Sequence, residues 1–303
     1  MKQNRRQLMF ASMVALSVTS LSAQAPAFRS ATRLVVLQAT VTNKHGDLVT
    51  NLDEHAFSIF ENGKRQPLSL FRRDDVPVSI GLLIDNSGSM RSLRTKVEAA
   101  ALAFARASNP QDEMFVLNFA DKARVDVEMT GDLHVLERGI SRADSIGGTA
   151  LRDAIEAAES YLREHAARDR RVLLVITDGI DNSSTATAEV IQRTAERTET
   201  VIDAVGLFHA QDTGRADQGR KELHDLTERT GGVACFPEDV DQIESVAVDL
   251  AHRIRSQYTL AYTPIVQILD GSYRTILVTA SGPERYTVKT RAGYRAVPEV
   301  QPK

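Results

Sequence analysis

The stretch Ile84-Asp85-Asn86-Ser87-Gly88-Ser89 sets one carboxylate and two hydroxyls on alternate residues at the end of an apolar run. Two other short stretches carry the same kind of oxygen: Gly147-Gly148-Thr149-Ala150-Leu151, and Thr177-Asp178-Gly179 at the end of the run from Val172. Carboxylate and hydroxyl oxygens without histidine or thiolate suit a hard divalent cation, Mg²⁺, Mn²⁺ or Ca²⁺, and argue against zinc or copper. Asp85 and Asp178 at most neutralise such an ion, and the hydroxyls of Ser87, Ser89 and Thr149 are weak donors. The ion would therefore stay electrophilic, with a position that a partner's carboxylate could fill.

For these residues to meet, each must sit at the same edge of one sheet. From Val78 onward, short and almost wholly apolar runs alternate with amphipathic helices, which is how a parallel sheet covered on both faces is written. The strands read as Ile80 to Ile84, Met114 to Phe119, Val172 to Thr177, Val201 to Gly206 and a short Val233 to Phe236. Leu93, Val97, Ala100, Ala101, Phe104 and Ala105 form one helical stripe, stopped by Asn109-Pro110. Leu151, Ile155, Ala158 and Leu162 form a second, and Ile243, Val246, Ala247, Leu250, Ala251 and Ile254 another. One more helix ends at Gly231-Gly232. All three oxygen-bearing stretches fall where a strand ends or a helix begins, the carboxyl edge at which open α/β sheets bind ligands.

Both flanks follow a period of two instead. Leu34 to Thr42, Phe57 to Phe60 leading into Asn62-Gly63, and Leu68 with Leu70 read as strands before residue 74. Tyr258 to Tyr262, Tyr273 to Val278 and Tyr286 to Arg291 read as strands after residue 257. Neither set is large enough for a sandwich alone, so the two are expected to pair. The expected fold is α/β: a doubly wound, mostly parallel, Rossmann-like sheet over 76–255, inserted into a small antiparallel β-sandwich-like domain from 32–74 and 257–296.

The separated residues Asp85, Ser87, Ser89, Thr149 and Asp178 resemble the metal-ion-dependent adhesion site (MIDAS) of the von Willebrand factor A family, written Asp-x-Ser-x-Ser, a distant Thr and a distant Asp. All five positions match. The resemblance implies Mg²⁺, contacted by Ser87 and Ser89 directly and by Asp85 chiefly through water, with Thr149 and Asp178 exchanging direct for water-mediated contact when ligand binds. It covers about residues 76 to 255. The flanks, in Phe57-Ser58-Ile59-Phe60-Glu61-Asn62-Gly63, Gln257 to Tyr262 and Arg291-Ala292-Gly293-Tyr294, are similar to an exported acidobacterial group related to the same family.

The remaining residues narrow the class. Lys2, Arg5 and Arg6 precede an apolar run from Leu8 to about Leu21 and then Ser22, Ala23 and Ala25, which reads as a signal peptide over 1–25 and places the mature chain in the periplasm or outside the cell. Arg5-Arg6 fits both a twin-arginine signal and an ordinary positive start. No second apolar stretch of spanning length follows, so no integral membrane segment is expected in the mature chain. A net charge of −3 gives no basis for nucleic-acid binding. Phosphate-loop and Gly-x-Gly-x-x-Gly patterns are absent from the sequence, which leaves nucleotide binding without support. The seven histidines form no pair at zinc spacing, and Cys235 is the only cysteine.

Several residues have plainer readings. Asp-x-Ser-Gly-Ser alone could be a helix start, and Asp153 and Asp181 read as loop caps rather than extra ligands. Arg168, Arg170 and Arg171 read as a solvated helix end. The function expected from the whole is binding, not catalysis: an adhesion or assembly module whose Mg²⁺, with Mn²⁺ or Ca²⁺ as substitutes, takes an Asp or Glu from a protein partner. The rivals are a Mg²⁺-dependent hydrolase using Asp178, which lacks a visible separate general base, and a structural envelope protein whose metal site goes unused.

Overall fold

The computed structural model describes residues 34–140, 146–178, 180–208 and 213–297. The expected signal peptide lies outside them. The N-terminal flank forms β1 (Val35–Thr42), β2 (Phe57–Glu61), β3 (Lys64–Gln66) and β4 (Leu68–Arg72). The central part runs β5 (Val78–Asp85), α1 (Arg94–Ala107), β6 (Glu113–Phe119), β7 (Ala123–Thr130), α2 (Leu133–Ile140), α3 (Leu151–His165), β8 (Arg170–Thr177), α4 (Ala188–Arg197), β9 (Val201–Gly206), α5 (Thr213–Thr230), β10 (Ala234–Cys235) and α6 (Ile243–Arg255). The C-terminal flank adds β11 (Tyr258–Tyr262), β12 (Tyr273–Ala280), β13 (Thr287–Lys289) and β14 (Gly293–Arg295).

The central sheet has the order β10-β9-β8-β5-β6-β7, parallel except for β7, which returns antiparallel along β6. Every residue of β5 is buried, because helices cover both faces. On one face Ile80, Leu82 and Ile84 pack with Val97, Ala101 and Phe104 of α1 and with Ala247, Leu250 and Ile254 of α6. On the other, Leu83, Phe115, Leu117 and Val175 pack with Ile155, Ala158 and Leu162 of α3, Ile191 of α4 and Leu223 of α5. Each large aliphatic side chain so buried stabilises the fold by roughly 1.5–3 kcal/mol. The chain leaves β5 toward β6 on one side and later returns to β8 on the other, so β5 is the switch point of the sheet. The crevice beyond a switch strand's carboxyl end is where such sheets bind ligands.

The flanks pair as their periodicity requires. One sheet has the order β13-β1-β11-β4 and the other β14-β12-β2-β3, so each mixes strands from both ends of the chain. Asn62 and Gly63, both at positive φ, make the β2–β3 turn. Between the sheets Leu37, Ile59, Leu260, Val278, Tyr258, Tyr262 and Tyr294 form a separate core.

Elements absent from the sequence reading include β7, α2, α4 and β14. Strand β10 is also shorter than its apolar run. The arginine cluster needs correction. Arg170 is buried, not solvated, and donates to the Ile254 carbonyl at 3.0 Å and to Gln257 Oε1 at 2.7 Å. Gln257 in turn reaches Thr40 Oγ1 at 3.2 Å. Arg170 thus fastens the start of β8 to the end of α6 and to the flank sheet.

Candidate metal centre

Asp85 ends β5 and Thr177 ends β8; the parallel register pairs Ile84 with Ile176, which sets these two side by side. The Asp85 carboxylate is held from both sides, accepting the Ser87 backbone N–H at 2.8 Å and the Thr177 hydroxyl at 2.5 Å. Beyond it the chain makes a 3₁₀ turn over Gly88–Ser92 before α1, which brings Ser87 Oγ and Ser89 Oγ to 3.0 Å.

The loop carrying Thr149 is stitched to this one by its backbone: Gly88 N donates to the Gly147 carbonyl at 3.0 Å and Ile146 N to the Asn86 carbonyl at 3.1 Å. The loop after Asp178 closes the third side. Asn182 N donates to the Thr149 carbonyl at 3.0 Å while Asn182 Oδ1 accepts Thr149 N at 2.9 Å. The three oxygen-bearing stretches therefore meet at the carboxyl ends of β5 and β8.

Asp85, Ser87, Thr149 and Asp178 are buried, whereas Ser89 is exposed. Burial first, and then the charge of Asp178, pushes the Asp85 carboxyl up to about 6, against the lowering effect of the Thr177 and Ser87 hydrogen bonds. The Asp85 carboxyl thus sits in a low-dielectric place where the charge of Asp178 is felt. Among the described residues, no group of three or more His, Cys, Asp or Glu suited to a metal assembles. The donor set is two carboxylates with hydroxyls, and that combination fits a hard divalent cation, which would relieve the carboxylate repulsion and use the hydroxyl oxygens.

Sequence reasoning missed the residues that hold the loops. Asp121, in the turn between β6 and β7, accepts Gly148 N at 2.8 Å and the Ser183 hydroxyl at 3.3 Å. Gly147 sits at φ +98°, and a methyl group at Gly148 would overlap Ser183 Oγ and Asn182 Oδ1, so the close approach needs glycine at both positions. Asp181 and Asp153 act as caps. Asp181 accepts Arg152 N at 2.8 Å and the Ser184 hydroxyl at 2.6 Å, while Asp153 accepts the N–H groups of Thr185 and Ala186 at 3.0 and 2.8 Å. Together they tie the 181–186 loop to the first turn of α3.

Residues 80–181 match the family model described as von Willebrand factor type A domain. That stretch, about a third of the chain, is similar to a von Willebrand factor type A domain. Solved structures agree at the level of fold. A von Willebrand factor type A protein from Catenulispora acidiphila is similar over 89% of this chain and 75% of its own, at 14% identity and a TM-score of 0.51. The pilus adhesin SpaC from Lactobacillus rhamnosus GG, in its open conformation, covers 86% of this chain and 47% of its own, at 11% identity and a TM-score of 0.51. Proximal thread matrix protein 1 from the mussel byssus, with a zinc-occupied MIDAS motif, covers 64% and 49%, at 17% identity and a TM-score of 0.50. No curated protein matches the chain. Among the described residues, no helix is long and apolar enough to cross a membrane.

Proposed function

We propose that the chain is a divalent-metal-dependent protein-binding module, of adhesion or assembly type, acting outside the cytoplasm. The observation that carries this reading is the buried pair Asp85 and Asp178, lying with Ser87 and Thr149 at the switch point of the sheet. Asp85, Ser87, Ser89, Thr149 and Asp178 would hold Mg²⁺, with Mn²⁺ or Ca²⁺ as substitutes. The bound ion would supply an electrophilic position for a carboxylate oxygen.

The chain's own residues do the rest. Thr177 and the Ser87 N–H orient Asp85, and Asn182 fixes the backbone on both sides of Thr149. With only two carboxylates around it, a divalent ion gains no surplus negative charge from the protein, so an Asp or Glu from a partner is attracted rather than repelled. The domain family and the adhesin and byssus structures sharing its fold support an interaction module over an enzyme. Calorimetric titration with Mg²⁺ and Mn²⁺ should show one site, lost in Asp85→Ala. Partner capture from an extracellular extract should require Mg²⁺ and fail in EDTA. Uptake or capture that is the same after either change would remove the reading.

A further inference from the structure

Helices α3, α4 and α5 leave an open cavity of about 300 Å³ between them. That volume lies at the lower end of the range of small-molecule sites. The floor is apolar and rigid. Leu151, Ile155, Ile191, Leu223 and Leu226 line it, and all five are buried. They belong to the same core as Leu83 and Phe115 of the central sheet, so the floor is part of the packed interior and not a loose surface patch.

The rim carries charge, but in closed pairs. Arg152 donates twice to Glu222, at 2.7 and 3.0 Å. Lys221 pairs with Asp225 one turn along α5, and Arg229 pairs with the buried Glu196 at 3.7 Å. Three cations thus meet three carboxylates, each with its own partner. An anionic ligand would face Glu222 and Asp225, and a cationic one Arg152, Lys221 and Arg229. Either would have to take a partner from an existing ion pair, which selects against both. The neutral polar groups on the rim are the amides of Gln192 and Gln218, which can meet a hydroxyl or an ester without disturbing a charge.

We propose that this cavity binds an uncharged amphiphile, a single alkyl chain with a hydroxyl or ester head. The chain lies along the floor, where water finds few hydrogen-bond partners, and the head reaches the two glutamines. The balanced rim sets the class of ligand, and the floor sets its affinity. Each methylene added to the chain should tighten binding about fourfold until the cavity is full. The site is separate from the proposed metal chemistry and does not depend on it.

The test uses the full chain in EDTA, which keeps the result independent of the metal centre, and the neutral fluorescent probe N-phenylnaphthylamine. The chain contains no tryptophan to interfere with its emission. The probe should bind and be displaced by straight-chain alcohols from hexanol to decanol, with affinity rising about fourfold per methylene. Octanoate and octylamine should displace it about tenfold less well than octanol. Ala188 and Gln218 are exposed lining residues on two different helices, so Ala188→Phe and Gln218→Phe should fill the cavity without unfolding the chain. Each should weaken probe binding about tenfold, and Ile268→Ser, on the exposed loop between β11 and β12, should leave it unchanged. Absence of probe binding, displacement by octanoate or octylamine as strong as by octanol, or parent-like affinity in both phenylalanine variants would overturn the proposal. So would loss of binding in Ile268→Ser, which would place the probe on that loop.

Discussion

The Thr177 hydroxyl donates to Asp85 Oδ2 at 2.5 Å, joining the last residues of two neighbouring parallel strands. This bond favours the ionised form of Asp85 against burial and the charge of Asp178. Its loss has a definite sign. In Thr177→Val the Asp85 pKa rises above about 6, so at a given pH less carboxylate is available and metal uptake shifts to higher pH. A lost hydrogen bond to a charged group is worth about 1.5–3 kcal/mol, of which a part should appear as a weakening of Mn²⁺ binding of about tenfold at neutral pH. Isothermal titration across pH checks it; an unshifted uptake curve would show that Thr177 does not set the protonation of Asp85.

Asp121 holds the Thr149 loop from outside, through Gly148 N and the Ser183 hydroxyl. Because Asp121 is exposed, Asp121→Ala should leave the unfolding midpoint nearly unchanged. Its effect should fall on the position of Thr149, with divalent-cation affinity reduced by about threefold to tenfold, as for other supporting residues of metal sites. Comparing melting with cation titration separates the two. A variant that loses stability while keeping its affinity would reverse the assignment.

How far this was legible beforehand depended on where each signal lies. The five candidate ligands stand in three short local patterns, and the strands ending at Asp85 and Thr177 are continuous apolar runs, so both chemistry and position can be read along the chain. Asp121 is a single acid in a turn, and only its bond to a residue 27 positions later gives it a role. Strand β7 and helix α2 lie at the sheet's edge, where Arg124 and Glu128 stay exposed and the apolar signal is diluted. In α4 only Ile191 and Ala195 supply buried apolar contacts, too few to mark a helix. Arg170 sits in a run of charges that looks like solvated surface; its partners Ile254 and Gln257 are more than eighty residues away.

Arg170 gives the next prediction. Its guanidinium is buried enough that desolvation lowers its pKa to about 10, opposed by Asp112 and Asp75, and its hydrogen bonds cross from the central sheet to the flank. Arg170→Met removes the charge but leaves the Ile254 carbonyl and the Gln257 amide oxygen without this donor, so a loss of about 2–4 kcal/mol is expected. Urea unfolding followed by a flank probe and a central probe should show the loss in both. If only the flank transition moved, Arg170 would be a local brace rather than a junction.

Glu159, on α3, predicts a pH dependence. Burial pushes its carboxyl up to about 7, although Thr200 and Thr198 donate to it at 2.9 and 3.3 Å. The unfolded chain releases this proton near the ordinary glutamate value of 4.5, so between there and about 7 the folded state binds more protons and stability falls as pH rises. Above about 7 both states are ionised and the contribution is flat. Glu159→Gln keeps the shape and an oxygen for the threonines but cannot ionise. The variant should therefore gain on the parent through that window and stay ahead by about 1–3 kcal/mol at pH 8. Asp85 and Asp203 are also pushed up to about 6, so the parent curve alone does not isolate Glu159; the difference between the two curves does. Parallel curves from pH 4 to 8 would mean that Glu159 is already ionised in the folded protein, with Arg171 and Arg163 outweighing its burial.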